Sequence, residues 1–161
     1  MACTRRVSSV TLAVIEEVPV FKGLVEKDAV SLPVRSPKLF SLAALYDATE
    51  ELLSYEPESN TQTDLIAKAV VYWKAVSRVI PEWGKVKNGE LKALELRQEY
   101  ISTHSVVLRA LGAVGADLMK EDPTGWETRL QNLVNIDWSK RNPFDKDLFN
   151  NPEDRPLEGL L

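Results

Sequence analysis

One cysteine, Cys3, and one histidine, His104, occur in 161 residues. A lone cysteine excludes an internal disulfide and a thiolate-held metal cluster, and it fits a reducing cytoplasm. A lone histidine leaves any metal site to carboxylates and any hydrolytic triad to that single imidazole. No serine stands in a Gly-x-Ser-x-Gly turn, and neither a Walker-type phosphate loop nor a dinucleotide-binding glycine fingerprint occurs. Long apolar runs are missing as well, so nothing reaches the roughly 20 residues that span a bilayer. The apolar stretch in MACTRRVSSVTLAVIEEV is cut by Ser8, Ser9, Glu16 and Glu17, and no small-residue cleavage site follows it. Positive charge is not in excess either: 24 acidic residues against 20 basic ones leave a formal net charge of −4. A nonspecific nucleic-acid binder usually carries a basic balance or stripe, so any contact with DNA must come from a local patch. These absences argue for a soluble, cytoplasmic, non-enzymatic chain with no metal and no cofactor.

What is present is ordinary globular material. Hydrophobic residues make up 44% and charged residues 27%, enough apolar content for one domain of this length to bury a core. Apolar spacing predicts a mainly α fold, a compact bundle of about five helices. The first covers about Val7 to Val18, with Val7, Val10, Val14, Ile15 and Val18 on one face; its β-branched content leaves a strand as the alternative. Pro19 ends it either way. Residues 20–37, broken by Pro33 and Pro37, read as a loop packed through Val20, Phe21 and Leu24. Ser36 or Ser41 opens a second helix with the stripe Leu42, Leu45, Tyr46, Thr49, Leu52 and Leu53. Thr61 or Thr63 caps a third, with Asp64 in its first turn and Leu65, Ile66, Ala69, Val70, Trp73, Val76 and Ile80 inward.

Pro81 terminates that helix, and Asn88-Gly89 then marks a turn that offers a short β-hairpin near residues 84–92. A fourth helix runs from about His104 to Met119, with Val107, Leu108, Leu111, Val114 and Leu118 inward. Gly112 and Gly115 each cost it about 1 kcal/mol against alanine, a cost that close approach of a neighbouring backbone would offset. Asp122-Pro123-Thr124 caps a fifth, holding Trp126, Leu130, Leu133 and Val134. Residues 1–143 are thus expected to form a single helical domain, and 144–161 an extended or partly disordered tail.

Two groups of polar residues stand out as nucleic-acid-binding candidates. If the chain around His104 is helical, Arg97, Tyr100 and His104 follow at spacings of three and four and share one face, a grouping suited to gripping phosphate. The competing reading is a capping cluster at a helix start, with Ser102 or Thr103 as the N-cap. Lys85 and Lys87 precede the Asn-Gly turn near Trp83, and Lys92 follows it; Lys140 and Arg141 follow Trp138. Such pairs of cation and indole contact backbone phosphate and stack bases, unless the tryptophans belong to the core. The carboxylate pairs Glu16-Glu17, Glu50-Glu51 and Glu121-Asp122 read as solvated surface.

The pieces RQEYISTHSVVLRALGAVG (Arg97 to Gly115) and GWETRLQNLVNIDWSKRNP (Gly125 to Pro143) resemble the C-terminal part of DndB proteins of bacterial DNA phosphorothioation systems. VPVFKGL (Val18 to Leu24) and LPVRSPKLFSLAALYDATEELL (Leu32 to Leu53) occur upstream in the same order, so the resemblance runs from about residue 10 to residue 143. The family's Asp-Gly-Gln-His-Arg (DGQHR) motif is not found here, and the tail does not match the family's glycine-containing continuation. The chain is therefore expected to be a fragment or a shortened relative. The resemblance implies an accessory and regulatory role beside the sulfur-modifying enzymes: DNA-binding transcriptional regulation. The alternative is a helical protein-protein interaction module that docks on other modification-system components without touching DNA.

Overall fold

The first helix begins where the sequence turns amphipathic. In a computed structural model describing residues 4–141, α1 spans Thr4–Glu17 and buries Val7, Val10, Val14 and Ile15 on one face. The helix, not the strand alternative, is realised, because the 3.6-residue stripe has a core to pack on. Cys3 and the expected tail at 144–161 lie outside the described residues.

After α1 the chain turns at Gly23, whose φ of +83° suits glycine. It then forms β1 (Val25–Glu26), which pairs in parallel with β2 (Phe40–Ser41) in the register Val25↔Phe40 and Glu26↔Ser41. This small sheet closes the loop between them, a feature that two-residue strands do not announce in sequence. Ser41 caps α2 (Leu42–Leu52) by accepting from the Ala44 amide at 3.2 Å. Thr61 does the same for α3 (Gln62–Val79), accepting from Asp64 N at 3.1 Å.

The stretch 84–92 is a correction to the hairpin expectation. Pro81 opens a helix instead of only ending one: α4 spans Pro81–Lys87, with proline in its first turn, where the missing N–H has no partner to lose. The Asn88-Gly89 turn, with Gly89 at φ +78°, leads into α5 (Ala93–Glu99). Both helices have only two turns, too short to display a period. The fourth expected helix is α6 (Ser105–Glu121), and the fifth is α7 (Trp126–Leu130), which tightens into a 3-10 turn, Gln131–Asn135. The described residues thus hold seven α-helices where about five were expected, and the fold is mainly α. Val114 and Val134, expected inward, are 41% and 59% exposed.

The largest contact in the described molecule is between α2 and α6. The two helices run parallel: Ser41 and Ala44 adjoin His104 and Ser105, Ala48 meets Gly112, and Leu52 meets Gly115. A Cβ on Gly112 would land on the Ala48 carbonyl oxygen, 3.0 Å from its carbonyl carbon, and one on Gly115 would enter the Tyr72 ring. The two mid-helix glycines therefore bring α6 against its neighbours. At the centre, Phe21, Phe40, Trp73 and Trp83 interlock, with ring centroids 5.0 to 5.9 Å apart and mostly edge-on. Such pairs add about 0.5–1.5 kcal/mol each beyond their burial. A single core cluster runs from Val10 to Trp138.

Candidate nucleic-acid interface

Arg97, Tyr100 and His104 do not share a helix face. The helix α5 ends at Glu99, and Tyr100 is its extended C-cap, φ −129° and ψ 155°. His104 is the N-cap of α6, also extended, and its carbonyl accepts from Leu108 N at 3.0 Å. The expected cap at Ser102 or Thr103 moves one residue on, to His104 itself, whose side chain makes no capping bond. Ser102 is buried and accepts from the Trp83 indole N–H at 3.2 Å.

The fold nevertheless brings Arg97 and His104 back together. Both line a cleft of about 270 Å³, with Ser41, Thr103 and Ser105 as its other polar walls. The N-terminal end of α6 and the guanidinium give that cleft a positive local potential. Arg97, however, turns both terminal nitrogens onto the protein: Nη1 reaches Pro33 O at 3.0 Å, and Nη2 reaches Val34 O at 2.7 Å and Ser36 O at 2.8 Å, while its buried Nε has no hydrogen-bond partner. Desolvation lowers its pKa from the ordinary arginine value. Its evident work is to hold the loop at 33–36. Tyr100 is half-buried, and its backbone bridges Ser139 in antiparallel fashion.

That bridge belongs to a strap. Ile101 N donates to Trp138 O at 2.9 Å and Lys140 N donates to Glu99 O at 2.8 Å, so residues 138–140 lie along 99–101. The strap leaves the side chains of Lys140 and Arg141 exposed. Asp137 sits beside them; its carboxyl is held below the usual range first by the Ser139 backbone N–H, then by the Ser139 side chain and the charge of Arg141. Trp138 is 9% exposed and Trp83 fully buried, so neither offers a face for base stacking, and the core reading of both holds.

Lys85 and Lys87 are exposed on the last turn of α4, where cations suit the helix C-terminus. Lys87 Nζ donates to Lys22 O, and Lys38 Nζ donates to Gly23 O at 2.9 Å. Two cations from distant segments thus converge on one turn that itself carries Lys22. Sequence reading missed Lys22 and Lys38, because only the β1–β2 closure and the Gly23 turn bring them beside α4. Lys92 is exposed in the following loop. Of the carboxylate pairs, Glu16, Glu17, Glu50 and Glu121 are exposed, whereas Glu51 and Asp122 are half-buried and Asp122 accepts from Gly125 N at 2.9 Å; Glu16 has its pKa lowered by Lys27 at 2.9 Å and, more weakly, by Lys22. Among the described residues no three of histidine, cysteine, aspartate and glutamate gather in a metal-holding group, and no helix is long and apolar enough to cross a membrane.

A family model described as DndB, DNA-sulfur modification-associated, matches residues 4–149. No curated protein and no solved structure matches significantly.

Proposed function

This chain belongs to the DndB family and so to DNA sulfur modification, and on that premise we propose that it is an accessory, regulatory domain that binds duplex DNA and performs none of the sulfur chemistry. The observation that carries the reading is the convergence of Lys38 and Lys87 on the Lys22-Gly23 turn, with Lys85 also exposed on the short helix α4. Lys22, Lys38 and Lys87 gathered at that turn, with Glu16 3.9 Å from Lys22, supply a local positive field that an overall charge of −4 lacks. Lys140 and Arg141, presented by the 138–140 strap, are a second contact point. Backbone phosphate is the target that such an arrangement suits, since lysine reads charge and not base identity. Arg97 acts as a positioning residue for the loop at 33–36, and His104 shapes the start of α6.

A salt titration of duplex binding tests this. About four phosphate contacts give a slope of log K against log salt near −3.6, which is roughly a hundredfold loss between 50 and 200 mM salt. Replacing Lys85 and Lys87 together by glutamate lowers that slope by about 2 if each meets one phosphate. Absence of binding at 50 mM salt, or a slope unchanged in the double variant, refutes the proposed surface.

A further inference from the structure

Two helix N-termini open onto one cleft. The helices α2 and α6 run parallel, and Ser41 and Ala44 of the first line the same cavity of about 270 Å³ as His104 and Ser105 of the second. The partial positive charges of the two helix ends therefore add there, instead of cancelling as they do in an antiparallel pair. Arg97 brings a full charge to the wall. No carboxylate lines the cavity, and neither helix has an acidic residue in its first turn.

The hydrogen-bond donors at this place are not all used. At α2 the Ser41 hydroxyl oxygen takes the Ala44 amide at 3.2 Å. At α6 no side chain makes a capping bond. The amides of Ser105, Val106 and Val107, which have no carbonyl one turn earlier to meet, are therefore left open. Thr103 is an independent sign. It lines the cavity at 8% exposure, and its hydroxyl takes no partner among the described residues. A hydroxyl that deeply buried is normally hydrogen-bonded, and one without a partner calls for an explanation. Leu32, Leu39 and Ala44 form the apolar remainder of the wall, and poor solvation strengthens any charge-assisted bond made beside them.

We infer that the cleft between the starts of α2 and α6 binds a phosphoryl group, as inorganic phosphate or as a phosphomonoester. The open α6 amides and the Thr103 hydroxyl donate to its oxygens, as helix N-termini do to anions elsewhere. Arg97 contributes charge and not bonds, because both of its terminal nitrogens are taken by the carbonyls of Pro33, Val34 and Ser36. The cavity is smaller than the roughly 300–1,000 Å³ of sites that enclose drug-sized ligands, so the anion is held and whatever it is attached to stays outside. The inference does not rest on the DNA surface, since none of Lys22, Lys38, Lys85 and Lys87 lines this cleft.

His104 also lines the cleft and is the sole histidine of the chain, so its imidazole proton resonance reports on this place alone. The test titrates the full chain with inorganic phosphate, with deoxyadenosine 5′-monophosphate, and with sodium chloride at matched ionic strength, all at fixed pH. The two phosphates move the signal saturably and chloride does not. Tighter binding of the nucleotide identifies an ester as the source and equal binding the free anion; either supports the site. Thr103→Val keeps the side-chain shape and removes only a hydroxyl with no protein partner. It leaves the thermal midpoint no lower and weakens phosphate binding about tenfold, as loss of one hydrogen bond to a charged group does. Ser105→Asp supplies a carboxylate of its own at the α6 N-terminus, so it abolishes binding while the midpoint holds or rises. A signal that follows ionic strength alike for chloride and phosphate overturns the proposal, as does parent-like binding by both variants. Displacement of phosphate by unphosphorylated duplex DNA also overturns it, because the cleft then belongs to the duplex surface.

Discussion

Replacing Gly112 by alanine places one methyl group where α6 crosses α2 in backbone contact. In an exposed helix this change is favourable by about 1 kcal/mol, because glycine loses more backbone freedom on folding than alanine. At this crossing the added Cβ falls on the Ala48 carbonyl oxygen, 3.0 Å from the carbonyl carbon and 3.3 Å from the Cα. These atoms are backbone in the middle of α2 and cannot rotate away. The two helices must separate by about an ångström, loosening Leu45, Ala48 and Leu52 on one side and Leu108 and Leu111 on the other, all buried. Overpacking of this kind costs roughly 1–3 kcal/mol, and the separated helices lose further dispersion contacts. The net expectation is a loss of about 2 kcal/mol despite the better helix former. Urea unfolding followed by circular dichroism reads it as a lowered midpoint at unchanged slope. Gly84→Ala is the internal control: its Cβ meets nothing within 4 Å, it sits inside α4, and stability rises by up to about 1 kcal/mol. If Gly112→Ala is as stable as the parent, the close packing of α2 on α6 is wrong.

Tyr72 is fully buried and its hydroxyl donates to the Leu111 carbonyl; burial raises its pKa well above the usual tyrosine value. The folded state then holds a proton that the unfolded chain releases above about pH 10, so stability is full below that pH and falls as pH rises further. Tyr72→Phe costs roughly 0.5–1.5 kcal/mol at neutral pH, and denaturant melts show the gap to the parent narrowing above pH 10. Arg97→Ala frees the carbonyls of Pro33, Val34 and Ser36 and costs about 1–2 kcal/mol, as charge-assisted bonds at a partly solvated site do. Hydrogen exchange sees this as lost protection at the Ser36 amide, which donates to Pro33 O; unaltered protection rules out the positioning role. Thr61→Ala removes the cap of α3 and lowers the melting free energy by about 1 kcal/mol, a result that Thr61→Ser does not reproduce.

Long amphipathic segments were legible because their period is a direct consequence of helix geometry: α1, α2, α3 and α6 follow from the spacing of Val, Leu and Ile, and Thr61 and Ser41 from cap chemistry. The mid-helix glycines were legible as close approaches, though not which neighbour they approach. The candidate site fared differently. Arg97, Tyr100 and His104 were grouped by assuming one helix through residues 97–104, and the break after Glu99 removed that premise; Arg97 and His104 meet through the turn instead.

What the sequence determined by itself is local: which long segments are helical, that apolar stripes exist, and that a lone cysteine forms no disulfide within the chain. The tertiary structure decided which stripe stays in water, which lysines stand together, and that Arg97 is spent on carbonyls 61 to 64 residues away. Helix periodicity is written within four residues of chain. The meeting of Lys38 with Gly23, or of Ala48 with Gly112, depends on how whole elements pack, and no short window of sequence contains it.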